Sequence, residues 1–182
     1  MTALITQTSS LTQPAVAQDL IPLTRANMAL PSEFLSFRLG REEYGIDILR
    51  VQEIRRYVEP TRIANAPAFI RGVINLRGVI VPIVDLRLKL SCNAEYTEFT
   101  VVIVLNLGAR IIGIVVDAVS DVVALDAADI KPAPSMSAAV DAGFILGISS
   151  IRHGDDERML ILADIDTLMA GMGLGLADAT LH

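Results

Sequence analysis

Residue types that belong to nucleophilic or metal chemistry crowd one stretch: Ser149, Ser150, His153, Asp155 and Asp156. A serine, a histidine and a carboxylate make a proton relay when separate elements bring them together. Here they share one loop, which reads as a solvated turn. His153 with Asp155, Asp156 and Glu157 also lacks the ligand spacing of a closed metal site. Gly40 and Gly45 have phosphate-loop separation, but Ile46-Asp47 follows where a lysine and a hydroxyl residue must hold phosphate and magnesium. Cys92 is the only cysteine. It permits no internal disulfide, and no neighbouring histidine or cationic cluster would lower its pKa. No pair of carboxylates is marked out by an apolar neighbourhood that would split their pKa values. The sequence therefore predicts no catalytic residue, metal or cofactor, and no enzyme.

The residue best placed for recognition is Arg77. Val73 to Leu76 and Val79 to Val84 are β-branched runs joined by Arg77-Gly78, and Gly78 suits a tight hairpin turn. Pro82 cannot donate to a ladder, so its strand is expected at an edge or at a bulge. Pro67 suits the first position of a short helical turn ahead of the hairpin. An arginine on such a tip is either a solvated turn residue or a rigid fork of donors for a partner's carboxylate.

The elements around the hairpin follow from alternation and turn residues. Strands are expected over Glu33–Leu39, Tyr44–Ile48 and Val51–Arg56, the last with Val51, Glu53 and Arg55 on one face; a helical turn near Ile48–Val51 stays open. Further strands are expected over Thr100–Leu107, Arg110–Val116, Val119–Leu125, Phe144–Ile151 and Met159–Ala163. Asp126–Ile130 reads as a helical turn. Asp164 is a candidate cap for a short helix with Ile165, Leu168 and Met169 inward. Residues 1–31 are rich in Thr, Gln, Ala and Ser and read as a disordered tail, within which Leu20-Ile21-Pro22-Leu23 is an apolar run without an assigned place. Residues 171–182 read as a second loose end. The folded part is then 32–170, with halves at about 32–90 and 99–170.

A repeat joins the halves. Leu39-Gly40, Gly45-Ile46, Ile48, Val51 and Glu53-Ile54 recur 68 residues later as Leu107-Gly108, Gly113-Ile114, Val116, Val119 and Asp121-Val122. Ala66-Pro67 recurs as Ala133-Pro134, and Phe69-Ile70-x-Gly72-Val73 as Phe144-Ile145-x-Gly147-Ile148. Val81 to Leu86 echoes Leu160 to Ile165. The fold class is mainly β: two similar β-subdomains sharing a core, with short helices including one near the C-terminus.

Composition fits. Of 182 residues, 52 % are hydrophobic and 4 % aromatic, so Val, Ile and Leu must build the core. No apolar run approaches the ~18 residues of a membrane span. The first basic residue is Arg25, which does not resemble a secretory leader; a reducing cytoplasm fits the single cysteine. Net charge is −6, yet residues 49–90 hold eight cationic and three acidic residues, an excess of five positive charges. That stretch suits an acidic protein partner. Nucleic acid is disfavoured by the negative total and by arginines without interleaved aromatics.

Asn75-Leu76-Arg77-Gly78-Val79-Ile80-Val81-Pro82-Ile83-Val84-Asp85-Leu86 resembles the signature of CheW-type chemotaxis coupling proteins. Tyr44-Gly45-Ile46-Asp47, Val51-Gln52-Glu53-Ile54 and Gly113-Ile114-Val115-Val116-Asp117 match in order, and the likeness runs from about Phe34 to Met169. The resemblance implies two five-stranded, SH3-like barrels packed face to face. It implies a non-catalytic scaffold that couples transmembrane chemoreceptors to the histidine kinase CheA through that kinase's CheW-like domain, without inserting in the membrane. It implies receptor contacts at Val51, Glu53, Arg77, Val102, Gly113 and Val122, and kinase contacts at Arg62, Ser135 and Met136. In the repeat, Gly45 and Gly113 are equivalent, as are Glu53 and Asp121, so both halves are expected to line one groove for an amphipathic helix hairpin. Gly113 serves either close approach of a partner or its own backbone geometry; Met136 is either a contact or a core residue. The alternatives are a coupling scaffold of another receptor–kinase pathway and, in a different class, a nucleic-acid-binding β-barrel using the arginines of residues 49–90.

Overall fold

A computed structural model describes residues 32–134 and 142–172. Residues 1–31, residues 135–141, with Ser135 and Met136 among them, and residues 173–182 lie outside the described residues. Ten strands form two five-stranded sheets. They are β1 (Ser32–Leu39), β2 (Glu42–Asp47), β3 (Val51–Arg56), β4 (Ile70–Leu76), β5 (Val79–Asp85), β6 (Val101–Asn106), β7 (Ile111–Val116), β8 (Ala118–Leu125), β9 (Ile145–His153) and β10 (Asp156–Ala163). Two short helices, α1 (Leu86–Lys89) and α2 (Ile165–Ala170), follow β5 and β10.

The sheet orders are β8-β1-β2-β10-β9 and β3-β6-β7-β5-β4. Neither sheet is built from one half of the sequence. β1 and β2 join the last three strands of the second half, while β6 and β7 join the last three of the first. The two halves exchange their leading strand pairs, and the sequence repeat becomes a reciprocal pairing in space. Equivalent contacts recur. The parallel pair Ile83↔Gly113 has a counterpart in Leu162↔Gly45. Asp85 N donates to Phe69 O and Asp164 N to Phe144 O, both at 2.7 Å. Thr61 bridges Val73 where Lys131 bridges Ile148.

This exchange creates three cores. Leu76, Val81, Ile83, Val102, Val104 and Val115 fill one sheet's interior. Phe34, Leu125, Leu160 and Leu162 fill the other's. The largest lies between them, where Phe37, Leu39 and Ile46 meet Ile103, Leu105 and Ile114, and Met172 also packs there. The expected mainly β, twin-subdomain architecture with a shared core is the one observed.

Three local expectations need correction. Pro82 is not on an edge, because β5 lies between β7 and β4; of the two expected settings it is the bulge that lies nearby, where the β4–β5 register shifts between Ile70 and Gly72. Its pair partner Val73 gives its N–H to Thr61 O, so Pro82 N faces away from β4, and β5 pairs with β7 only from Ile83 onward. The missing donor falls just outside the ladder. Pro67 opens no helix; Pro67 O accepts from Ile70 N in a turn that leads into β4. Gln52 is a bulge residue: Val51 pairs with Leu105, and Glu53 with the next residue, Val104. The extra residue turns the strand over. Val51 therefore packs on the shared core, while Glu53 and Arg55 take the opposite face, with Val104 and Val102.

The cap at Asp164 is as expected; its Oδ1 accepts from Asp166 N and Thr167 N, and Ile165, Leu168 and Met169 are buried. The turn left open after β2 is a 3₁₀ turn, Ile48–Arg50, and Ala127–Asp129 is another.

Candidate functional site

The hairpin tip between β4 and β5 carries the candidate site. Arg77 and Gly78 have φ of 50° and 88°, so both central turn residues are left-handed. A two-residue turn of that kind matches the strand twist, but its first position favours Asn, Asp or Gly. A left-handed arginine costs about 1–2 kcal/mol. Asn75 Oδ1 accepts from Gly78 N at 2.7 Å and holds the turn closed. The arginine's presence at a strained position points to selection for its side chain rather than for the turn.

That side chain crosses to β3. Arg77 Nη2 donates to Glu53 Oε2 at 2.6 Å, and Arg55 Nε lies 3.6 Å from Glu53 Oε1. The Arg77 side chain is 72 % exposed and that of Glu53 22 %. The pair is thus a presented one, with the carboxylate anchored and the guanidinium free to turn its remaining donors outward. Beside it, Arg55, Arg56, Val58, Ile74, Asn75 and Val102 line a cavity of about 220 Å³ between the edges of β3 and β4. Val102 is buried, forming its floor.

A family model for the CheW-like domain matches residues 33–171. The chain belongs to the CheW family. It is 53 % identical to the chemotaxis protein CheW of Klebsiella aerogenes over 84 % of this chain and 90 % of that one. With the CheW of Rhizobium meliloti it shares 37 % identity over 75 % and 86 %. The crystal structure of the scaffolding protein TtCheW from Thermoanaerobacter tengcongensis superposes with a TM-score of 0.65 at 32 % identity, covering 76 % of this chain and 87 % of that chain. CheW proteins are non-catalytic scaffolds, so the chain has a scaffold role in chemotaxis and is not an enzyme.

Among the residues singled out from sequence, the CheW fold brings Glu53, Arg77 and Val102 to one end of one sheet. Val51 lies on the other face of β3. Gly113 does not border a groove. It is buried in the middle of its sheet, and a Cβ there would lie 2.5 Å from Ile83 Cδ1 and 2.8 Å from Val102 Cγ1. Its glycine is demanded by packing between β5 and β6. Val122 is 46 % exposed but sits on β8, in the other sheet. Arg62 is exposed in the connector before β4 and pairs with Glu59 at 3.1 Å.

Of the residues weighed for catalysis, Ser149, Ser150 and His153 belong to strand β9 rather than to a loop, and Gly40 and Cys92 have structural settings. Gly40 N donates to Asp117 Oδ2 at 2.7 Å in the β1–β2 turn, and no helix follows. Burial, then the charges of Glu42 and Asp117, push the Cys92 thiol up, opposite to what a nucleophile needs. Among the described residues no group of His, Cys, Asp and Glu is placed to hold a metal ion, and no helix is long and apolar enough to cross a membrane.

One polar cluster escaped sequence reasoning. Arg87, in α1, is fully buried. It donates to both oxygens of buried Asp85 (Nε–Oδ1 2.9 Å, Nη2–Oδ2 2.8 Å), to Glu95 O at 2.6 Å and to Asp117 Oδ1 at 3.0 Å. Tyr96 covers it, with its ring centroid 4.6 Å away and its Oη donating to Asp85 Oδ2 at 2.8 Å. Burial opposes the charge on Arg87, but the hydrogen bonds and attraction of Asp85 and Asp117 win and raise its pKa. The cluster ties α1, the 91–100 connector and the β1–β2 and β7–β8 turns together. The apolar run Leu86-Arg87-Leu88 beside the signature Asp85 was the available signal.

Proposed function

We propose that this chain couples the cytoplasmic tips of methyl-accepting chemoreceptors to the histidine kinase CheA, in the cytoplasm at membrane receptor arrays. The observation that carries this reading is the Arg77–Glu53 pair: an arginine on a strained, rigid turn, braced by a half-buried carboxylate beside a valine-floored cavity. A helix hairpin with acidic residues flanking an apolar stripe fits that combination. Val102 and Gly113 support this surface from within, and Val51, on the other face of β3, and Val122, on β8 of the other sheet, are further proposed receptor contacts. The kinase side uses Arg62 and, in the equivalent connector of the second half, Ser135 and Met136. Two separate faces let individually weak contacts add through multivalency.

Five of the eight cations in residues 49–90 are held in ion pairs: Arg50 with Asp166, Arg55 and Arg77 with Glu53, Arg62 with Glu59 and Arg87 with Asp85 and Asp117. Arg71 lies over the Tyr96 ring. This speaks for a protein partner and against a phosphate-tracking surface. The test is binding of a soluble chemoreceptor signalling fragment, and separately of CheA, to the wild type and to Arg77→Glu. Loss of receptor binding alone supports the reading; undiminished receptor binding removes it.

A further inference from the structure

The sheet β8-β1-β2-β10-β9 does not close on itself, and the seam between its edge strands β8 and β9 is a cavity of about 630 Å³. The equivalent seam between β3 and β4 measures about 220 Å³. The difference lies in the lining: Arg55 and Arg56 of the tight seam correspond in the repeat to Val123 and Ala124 of the wide one, which leave space unfilled.

The wide seam is apolar toward one end and carries two arginines at the other, with Glu43, Asp121 and Asp129 also in its lining. Val122, Val123, Leu125 and Ile151 supply the apolar wall, and Arg152 and Arg158 also line it. The strand registers put both arginines at the end away from Leu125. Among the described residues Arg152 makes no ion pair, and Arg158 comes only within 4.0 Å of Glu43. On the same stretch of β9, Ser149 is 1 % exposed, and its Oγ has no hydrogen-bond partner among the described residues.

We propose that this seam is the docking site of the chain's own segment Asp19-Leu20-Ile21-Pro22-Leu23. Three observations select it. The first is where the described chain begins: Ser32 pairs with Leu125, so the 31 residues that precede it in the sequence join the fold at the Leu125 end of the seam. The second is reach. Residues 24–31 span up to about 26 Å extended, ample to join Ser32 to a segment that turns back with Leu23 beside Leu125. The third is chemistry. Laid back along the seam toward Ser32, the segment runs antiparallel to β9, with Leu23 at the Leu125 end and Asp19 at the Arg152 end. The leucines and isoleucine fill the space above Val122, Val123 and Ile151, and Asp19 meets the unpaired guanidinium. If Val122 is the receptor contact assigned under the proposed function, the docked segment also competes with the receptor for β8.

The test is hydrogen–deuterium exchange on the full-length chain, comparing wild type with a Leu20→Ser, Ile21→Ser, Leu23→Ser variant. These substitutions lie outside the described fold, and exchange in β6 serves as the internal control. The expected result is about tenfold faster exchange over residues 120–125 and 149–152 in the variant, with β6 unchanged, and the same direction of effect for Asp19→Arg. Equal rates in wild type and variant overturn the proposal. So does protection in the wild type that falls over about a hundredfold dilution, because the occupant is then a second copy of the chain. This readout needs no receptor, so it stands or falls separately from the coupling role.

Discussion

Arg87 and Asp85 face each other through two parallel hydrogen bonds of 2.8 and 2.9 Å, and neither side chain is exposed to solvent. A planar, two-point pair removed from water is strong only while complete. Arg87→Met leaves the Asp85 carboxylate buried without its counter-charge and is expected to cost about 3–5 kcal/mol. Urea unfolding is the measurement. A midpoint unchanged within error would show that the pair contributes nothing to folding.

Tyr96 adds a pH dependence to the same cluster. Burial, then its hydrogen bond to Asp85 and that carboxylate's charge, push the phenol well above its ordinary value of 10.0. A folded-state pKa above the unfolded one gives stability that is fully present below pH 10 and is lost as pH climbs beyond it. Thermal melts should therefore fall more steeply above pH 10 in the wild type than in Tyr96→Phe. At neutral pH the variant should be about 1 kcal/mol less stable, from the lost hydrogen bond.

Gly113→Asp is expected to abolish folding rather than fill a binding groove. A Cβ at this position meets Ile83 and Val102 in the interior, and a carboxylate there has no partner. The expected destabilisation is about 3 kcal/mol or more, read as loss of the cooperative melt. The symmetry-related Gly45 predicts a milder result for Gly45→Ala, since its Cβ would lie 3.0 Å from Leu162 Cδ2 and 3.3 Å from Leu160 Cδ2.

Gly72 is restricted twice, by a φ of 140° and by Thr61 O, which a Cβ would strike. Backbone cannot move aside as a flexible side chain can. Gly72→Ala should lower the melting temperature more than Gly108→Ala, where nothing lies within 4 Å of the added atom and only the φ of 79° opposes it.

These residues also show how far sequence reasoning reached. The Arg77-Gly78 hairpin, the Asp164 cap and the repeat were legible because each is a local pattern: turn chemistry, an Asx cap and matched spacing. Helix α1 has the same cap at Asp85, and the echo of Val81–Leu86 in Leu160–Ile165 would have disclosed it; four residues give no periodicity of their own. The exchange of strand pairs between sheets is a choice between pairings that satisfy the same alternation, so no local pattern distinguishes it. The Gln52 bulge reversed the faces of Glu53 and Val51, because one inserted residue shifts a period of two. The burial of Arg87 was not legible, since beside the local Asp85 it depends on Glu95 and Tyr96 of the following connector and on Asp117 from the β7–β8 turn, which no spacing marks as its partners.

The strained turn at Arg77 separates recognition from stability more cleanly than a charge reversal alone. Asparagine accepts the left-handed conformation, so Arg77→Asn should melt at or slightly above the wild-type temperature. The exposed ion pair with Glu53 that it gives up is worth no more than about 1 kcal/mol. Calorimetric titration of Arg77→Asn with a soluble chemoreceptor signalling fragment is the most direct test. The expected result is a loss of receptor affinity of at least about tenfold, equal to about 1.4 kcal/mol, with the melt preserved and CheA binding intact. Wild-type affinity in that folded variant would contradict the central claim that Arg77 is held at the hairpin tip to grip a partner.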